Sequence, residues 1–155
     1  MIQLRSILVP TDFSEQSNPA IRYGCALAQK FDSTLHLVNV VEDVYPLIPE
    51  SGMVLPTAVT HMHDLRLAAD KGLEQRPPAE WSQGLTITRE VLVGNAANEI
   101  IRYARNKQID LVVIGTHGRT GLMHVILGSV AEKVVRRAPC PVLTVRPDGH
   151  QFLSE

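Results

Sequence analysis

Cysteine, net charge and long hydrophobic runs are all scarce in this chain of 155 residues. The two cysteines, Cys25 and Cys140, are too few for a disulfide framework and lack the CxxC spacing of a metal or redox site. A net charge of −1 excludes a strongly basic nucleic-acid-binding protein. No run reaches the roughly 18 apolar residues of a membrane span, and the first residues lack the layout of a signal peptide. We therefore expect reduced cysteines and a cytoplasmic location.

What the chain does contain is typical of a globular protein, with 45% hydrophobic and 20% charged residues. Length and composition predict one domain over residues 1–155, with a flexible tail at 147–155. Residues 1–100 hold seven Lys and Arg against twelve Asp and Glu, whereas residues 101–155 hold eight against four. The second part is the better place for an anionic ligand, although solvated surface faces would give the same pattern.

Short apolar runs alternate with segments of helical periodicity. The runs predict strands at 6–10, 34–41, 86–93, 111–114 and 141–145. Helices are predicted from 17 or 18 onwards, at 57–75, from a cap at Asn95 to 106, and at 129–137. This alternation implies a parallel sheet with helices on both faces. In such a sheet, ligands bind beyond the carboxyl ends of the strands, at the switch point of the strand order.

The periodicity also predicts which helix faces are buried. The buried face of the first helix is predicted to hold Ile21, Cys25, Ala28 and Phe31. That of the second helix is predicted to hold Ala58, Met62, Leu65, Ala69 and Leu73. Two prolines at 77 and 78 end this second helix. We expect Trp81, just beyond them, to pack locally rather than to serve as an exposed anchor.

A glycine-rich segment lies between the fourth strand and the last helix, from Gly115 through Gly118 to Gly128 and Ser129. Glycines let the backbone approach a ligand closely, and free amides in such a loop and at the next helix N-terminus bind anions. Ser129 can donate to a phosphate or cap the helix, and ordinary turn chemistry is the alternative for the glycines. The GxxxxGK[ST] pattern of P-loop NTPases is absent, as is a GxGxxG dinucleotide pattern after the first strand.

The end of the first strand supplies a second candidate, Pro10-Thr11-Asp12. A carboxylate at the carboxyl edge of a parallel sheet can accept hydrogen bonds from a ribose hydroxyl or an adenine amine. Asp12 can equally well cap the next turn, as can its neighbour Ser14. The cluster of His61, His63 and Asp64 is not predicted to bind a metal, because positions i and i+2 of a helix point in different directions.

Several blocks of the sequence, in order, resemble the universal stress protein family. The spacing Gly115-x2-Gly118-x9-Gly128-Ser129 matches that family's ATP-binding pattern, G-x2-G-x9-G-[ST]. The opening ILVPTDFS at 7–14 resembles the family's first strand and loop, and the segments 91–94, 110–115 and 138–145 resemble its later blocks. The resemblance covers residues 3–146, the expected core, and implies a member of the ATP-binding subgroup.

The resemblance implies a role for each matching position. The loop after the first strand would contact adenine and ribose, and a small apolar residue ending the second strand would pack on adenine. The end of the fourth strand and its glycine loop would wrap the ribose and phosphates, and the Gly-Ser step would hold the outer phosphates. In that order the matching residues are Pro10, Thr11, Asp12; Val40; Ile114, Gly115, Thr116, His117, Gly118, Arg119; and Gly128, Ser129, Val130. Ala131 departs from the pattern, since some ATP binders carry a hydroxyl residue there.

The fold that the resemblance implies is α/β and Rossmann-like, of the adenine nucleotide alpha hydrolase-like type. It is an open five-stranded parallel sheet of order 3-2-1-4-5 with helices on both faces. Members usually form homodimers through the fifth strand, which here runs from Pro141 to Val145. A bare apolar edge strand invites aggregation, and a two-fold dimer covers it.

The function that we expect is ATP binding in a stress or signalling response, with nucleotide state altering the binding of an unidentified protein partner. Mg²⁺ or Mn²⁺ would bridge the phosphates. No residue is identifiable as a general base for water attack, so weak or no ATP hydrolysis is predicted. Two alternatives remain: a nucleotide-free homodimer that acts only through protein contacts, and an adenylate-transferring enzyme. The latter needs an SGGxDS-type loop where this chain has residues 10–14.

Overall fold

The computed structural model describes residues 1–42, 56–117 and 127–149, without the side chains of residues 56–59. The strands are β1 Ser6–Pro10, β2 Thr34–Val41, β3 Ile87–Val93, β4 Leu111–Gly115 and β5 Val142–Val145. The helices are α1 Asn18–Phe31, α2 Pro56–Glu74, α3 Ala79–Ser82, α4 Ala96–Asn106 and α5 Ser129–Arg137. A 3₁₀ turn, Glu15–Ser17, precedes α1. Each predicted strand lies within one residue of an observed one.

The strands form one parallel sheet in the order β3-β2-β1-β4-β5. This confirms the predicted fold class and strand order. Central β1 pairs with β2 on one side and with β4 on the other. Among the described residues, no helix is both long and apolar enough to cross a membrane.

Two apolar cores cover the two faces of the sheet. On one face, α4 and α5 pack on the sheet through a cluster that includes Leu8, Ile101 and Val134. On the other, α1 and the end of α2 pack through a cluster that includes Ile7, Val9 and Leu73. Neighbouring residues of β1 thus enter opposite cores, because strand side chains alternate. Burial on both faces explains why this strand is a continuous apolar run.

Helix α1 packs very closely on β1. A Cβ added at Gly24 would lie 2.4 Å from a methyl group of buried Val9, so only glycine fits there. The predicted face of α1 is buried at Ile21, Cys25 and Ala28, but the prediction for Phe31 is wrong, since Phe31 is 37% exposed. Ten residues of helix rotate Phe31 by about 80° from Ile21, which takes it off the buried stripe.

Helix α2 buries only part of its predicted stripe. Ala69 and Leu73 are buried, whereas Met62 and Leu65 are half-buried, and the side chain of Ala58 lies outside the described residues. The C-terminal part of the helix, around Ala69 and Leu73, therefore packs closely on the sheet, whereas the part around Met62 and Leu65 packs less closely. This geometry leaves space beside the carboxyl ends of the strands.

The segment after α2 forms the short helix α3 and has a packing role. Trp81 is half-buried against the core under α1. Gln29 of α1 donates from Nε2 to the carbonyl oxygens of Trp81 and Gln83, both at 3.3 Å. The local packing predicted for Trp81 is confirmed.

Candidate functional site

A cavity of about 680 Å³ opens at the carboxyl edge of the sheet, between the ends of β1 and β4. Helix α1, which follows β1, covers one face of the sheet, and α5, which follows β4, covers the other. A parallel sheet has its crevice where consecutive crossovers depart to opposite faces in this way. The position of the cavity therefore follows from the strand order.

The cavity brings together every predicted site residue that the structure describes. These residues are Pro10, Thr11, Asp12, Val40, Ile114, Gly115, Thr116, His117, Gly128, Ser129 and Val130. The other two predicted residues, Gly118 and Arg119, lie outside the described residues. Residues of β1, β2, β4, the start of α5 and the loops after β1 and β4 thus converge on one space.

The N-terminus of α5 forms one wall of this cavity. Its N-cap residue is Gly128, which is extended at φ −65° and ψ 156° and makes no side-chain capping bond. Gly128 N–H donates to Thr116 O at 2.7 Å, and a Cβ on Gly128 would lie 3.1 Å from that oxygen. Glycine is favoured here because the backbone approaches the end of β4 closely. Ser129 is the first helical residue and does not cap the helix.

The first amides of an α-helix have no partner within the helix. In α5 these amides belong to Ser129, Val130 and Ala131, and all three residues line the cavity. Aligned peptide dipoles add partial positive charge at this end of the helix. The wall therefore has the chemistry of an anion-binding surface.

The N-terminus of α4 also reaches the cavity, through Ala96. Here the predicted cap is confirmed, because the side chain of Asn95 accepts from Asn98 N–H at 3.2 Å. One of the first-turn donors of α4 is thus satisfied within the chain.

The end of β4 is held against the start of α1. Thr116 is buried, donates its N–H to Val145 O at 3.0 Å and places Oγ1 2.9 Å from His117 Nδ1. A Cβ on Gly115 would lie 3.3 Å from Gln16 O in the 3₁₀ turn. This close approach fixes the distance between the two loops that flank the cavity.

Thr11, the first residue after β1, is only 5% exposed and is held by four hydrogen bonds. Its N–H donates to Val38 O at 2.9 Å, and its carbonyl oxygen accepts from Asn39 Nδ2 at 2.8 Å. Its Oγ1 accepts from Phe13 N–H at 3.0 Å and lies 2.9 Å from Ser17 Oγ. The Thr11 hydroxyl therefore shapes the loop from within.

Asp12 both caps the next turn with its side chain and lines the cavity. Its Oδ1 accepts from Ser14 N–H at 3.0 Å and from Ser14 Oγ at 2.5 Å. The turn-capping role left open from the sequence is thus observed, and it does not remove Asp12 from the cavity wall. The half-buried Asp12 carboxylate is thus part of the polar lining of the cavity.

Sequence reasoning missed the apolar wall and part of the polar floor of the cavity. The additional lining residues are Phe13, Ser17, Asn39, Val41, Glu42, Leu65, Ala68, Ala69, Ala96 and Ile100. The signal for Asn39 was available, since it is a buried amide in an otherwise apolar strand end, and such a group needs a partner. Only the tertiary structure could show that α2 would stand beside the strand ends.

Phe13 turns the β1 loop in a left-handed conformation, with φ 66°. Its ring packs on Gly72 of α2, where a Cβ would lie 2.8 Å from the ring. The guanidinium of Arg76 lies 5.0 Å from the ring centroid, and its Nη2 donates to Phe13 O at 3.3 Å. The end of α2 thus holds this loop in a backbone conformation that costs energy for a non-glycine residue.

A sequence comparison decides the family. The model of the universal stress protein family matches residues 3–146. The chain belongs to this family. Among its relatives, universal stress protein MJ0531 of Methanocaldococcus jannaschii is 37% identical over 147 residues, which are 92% of this chain and 82% of the relative.

Solved universal stress proteins share the fold described above. The structure of UspA from Lactobacillus plantarum has a TM-score of 0.81 and 25% identity, over 94% of this chain and 100% of that one. A universal stress protein in complex with cAMP has a TM-score of 0.61 and 22% identity, over 95% of this chain and 100% of that one. The universal stress protein from Archaeoglobus fulgidus in complex with dAMP has a TM-score of 0.58 and 18% identity, over 94% of this chain and 100% of that one. At such identities the last two likenesses bear on the fold alone.

Proposed function

We propose that the cavity binds ATP, as expected for the glycine-motif subgroup of universal stress proteins. The observation that carries the proposal is the N-terminus of α5, where Gly128 supplies no capping side chain and Ser129 and Val130 line the cavity. The Asp12 carboxylate on the β1 side of the same cavity adds a second class of polar group. Universal stress proteins of this fold have been solved with cAMP and with dAMP, so a nucleotide in this fold has precedent.

The proposed pose follows from the chemistry of the walls. Adenine packs between Val40 and the apolar surface that Leu65 and Ala69 of α2 provide. The Asp12 carboxylate accepts from the ribose hydroxyls. The amides of Ser129 and Val130, with the Ser129 hydroxyl, donate to the phosphates. A volume of about 680 Å³ is in the range of small-molecule sites.

The position of Ala131 limits the phosphate contacts. Ala131 is 3% exposed and part of the core beneath α4 and α5, and it carries no hydroxyl. We therefore propose that the backbone of the first turn of α5, with Ser129, carries the phosphate contacts of that wall. Gly118 and Arg119 keep the roles that the resemblance implies for them.

A divalent ion, Mg²⁺ or Mn²⁺, is proposed to bind together with the nucleotide. Phosphate oxygens are the hard ligands that these ions prefer. Within residues 1–42, 56–117 and 127–149, no group of three His, Cys, Asp or Glu side chains has the geometry of a metal site. Phosphate oxygens and water molecules would therefore supply the ligands of the ion that do not come from the protein.

We propose that ATP is bound with weak or no hydrolysis. Among the described lining residues, Asp12, Glu42 and His117 have side chains of the types that serve as general bases in enzymes. Asp12 is assigned to the sugar and holds the turn at Ser14. With Asp12 assigned to the sugar, no residue is assigned as the general base for attack of water on a terminal phosphate, and we expect a nucleotide-binding protein rather than an ATPase.

The homodimer is proposed to form through β5, in the cytoplasm, with the nucleotide altering how a protein partner is bound. Within the chain, β5 pairs only with β4 among the described strands. Pro141 O and Val145 O accept from residues of β4 or just beyond it, so the alternate residue Thr144 turns its N–H outward. Thr144→Pro removes that donor at a sheet edge where proline is tolerated.

Light scattering after size-exclusion chromatography tests the dimer. We expect a dimer for the wild type and for Thr144→Ala, which keeps the N–H, and a monomer for Thr144→Pro. A wild type that is monomeric at tens of micromolar would contradict the edge-strand dimer.

The nucleotide proposal is tested by the melting temperature with and without ATP and Mg²⁺. A hundredfold excess over Kd stabilises by about 2.7 kcal/mol, which is about 5–10 °C for a chain of this size. Asp12→Ala should reduce the ATP-induced increase, whereas Asp70→Ala, which removes an exposed carboxylate of α2, should leave it unchanged. No increase at millimolar ATP, with no ATP released on denaturation, would favour the nucleotide-free alternative.

A further inference from the structure

We infer that Asn39 is a positioning residue, which orients the Asp12 carboxylate and thereby makes the cavity select ribonucleotides over 2′-deoxyribonucleotides. The inference rests on the proposed nucleotide binding and goes beyond it by naming what determines selectivity for the sugar.

Asn39 holds the peptide that carries Asp12. It lies near the end of β2, is 5% exposed, and donates from Nδ2 to Thr11 O at 2.8 Å. The bonded carbonyl belongs to the peptide unit between Thr11 and Asp12. Because a peptide unit is planar, fixing that oxygen fixes the direction in which the chain enters Asp12.

A chain of hydrogen bonds holds Asp12 from its other side. Ser17 Oγ donates its one hydrogen to Ser14 O at 2.8 Å, so the Thr11 hydroxyl is the donor in the 2.9 Å bond to Ser17. Ser14, in turn, donates both its N–H and its hydroxyl to Asp12 Oδ1. The network runs from Thr11 through Ser17 and Ser14 back to Asp12.

The network encloses the left-handed residue Phe13, at φ 66°. Phe13 N–H donates to Thr11 Oγ1 at 3.0 Å, inside the same loop. Such a conformation persists only where surrounding contacts determine it. Asn39 and Ser17, together with the contacts of Phe13 on α2, therefore help to fix a carboxylate whose orientation an unsupported loop would leave variable.

Orientation of one carboxylate has a specific consequence for binding. A hydrogen bond from a sugar hydroxyl to a charged acceptor depends steeply on distance and angle. A correctly held Asp12 should favour ATP over 2′-deoxy-ATP by about tenfold. A misoriented Asp12 should lose this preference while the phosphate contacts at α5 continue to bind both nucleotides.

The test measures Kd for ATP and 2′-deoxy-ATP by calorimetry in the intact protein. We expect Asn39→Leu, which is nearly isosteric and removes the donor, to reduce the preference from about tenfold to below threefold. Ser17→Ala should reduce it in the same direction, and decides the outcome if Asn39→Leu does not fold. The Asp12→Ala variant should bind ATP and 2′-deoxy-ATP about equally. Adding Asn39→Leu to that variant should leave the ratio of the two Kd values unchanged.

Ser33→Ala is the matched control for a structural effect. Ser33 is 4% exposed and donates from Oγ to Leu4 O at 2.6 Å, at the opposite end of the sheet. This variant should lower the melting temperature as Ser17→Ala does and keep the wild-type preference for ATP.

Two results would overturn the inference, and they differ from failure of the proposed function. The first is an unchanged sugar preference in Asn39→Leu and Ser17→Ala despite lowered melting temperatures. The second is a wild type that binds both nucleotides equally. A wild type that binds neither nucleotide would refute the proposed function itself, and the inference with it.

Discussion

The first turns of helices α4 and α5 both reach the cavity, but they differ in how their unpaired amides are satisfied. Both start at the carboxyl edge of the sheet, and the first turn of each reaches the cavity. Asn95 caps α4 with its own side chain, whereas α5 begins at Gly128 with no capping bond. The same unpaired amides that every helix start presents are thus used for stability in α4 and left available to an anion in α5.

The largest effect is expected from replacing the first amide of α5. Ser129→Pro removes one N–H at a position where proline suits the helix, and Gly128 before it is already extended. Loss of a bond to a charged phosphate should weaken ATP binding about 10- to 100-fold, as measured by calorimetry.

Two comparisons make that result specific. The melting temperature without nucleotide should stay close to the wild-type value. Ser129→Ala, which keeps the amide and removes the hydroxyl, should weaken binding less. Equal affinity for Ser129→Pro and the wild type would show that this amide does not meet phosphate.

The reciprocal change is at the capped helix. Asn95→Ala removes the acceptor for Asn98 N–H and should lower the free energy of unfolding by about 1 kcal/mol, as measured by urea denaturation. ATP affinity should remain within about twofold of wild type, because the proposed phosphate contacts are made by the first turn of α5 and not by this amide. A loss of affinity as large as that of Ser129→Pro would mean that both helix starts serve the ligand.

A smaller effect concerns pH and the sheet face beneath α4. Burial lowers the pKa of His36, the charge of Lys107 acts in the same direction, and Glu90 opposes them. His36 Nδ1 lies 3.1 Å from the hydroxyl of Tyr103 on α4. The folded state therefore binds this proton less readily than the unfolded state, and stability falls as pH drops below about 6.5.

This pH dependence can be assigned by substitution. The loss of unfolding free energy between pH 7.5 and pH 5.5, measured with urea, should be smaller in His36→Gln than in the wild type. His61→Gln, on an exposed position of α2, should leave the wild-type difference unchanged. An equal pH dependence in the wild type and His36→Gln would assign the proton uptake elsewhere.

The fold was predictable because its boundaries are local. Proline, glycine and the Asn95 cap end the apolar runs, and burial on both faces makes β1 and β4 continuous. Phe31 lies outside the core because the buried stripe of α1 ends before it, at Ala28. Steps of three and four residues approximate the helical repeat only roughly, so the angular difference accumulates to about 80° between Ile21 and Phe31.

The site was predictable only in its outline. The glycine spacing and the first loop placed the two polar walls, but the bond from Asn39 to Thr11 exists because β2 lies beside β1 in one register. The wall that Leu65 and Ala69 supply depends on how far α2 stands from the sheet. Such long-range contacts leave no periodic signal in the sequence.

The most direct measurement is the change in amide chemical shifts when ATP and Mg²⁺ are added to the isotope-labelled protein. We expect large changes for the amides of Ser129 and Val130, which gain phosphate as acceptor, and a small change for Asn98, which keeps its bond to Asn95. Saturation with ATP that leaves the two α5 amides unmoved, or shifts all three alike, would contradict this expectation.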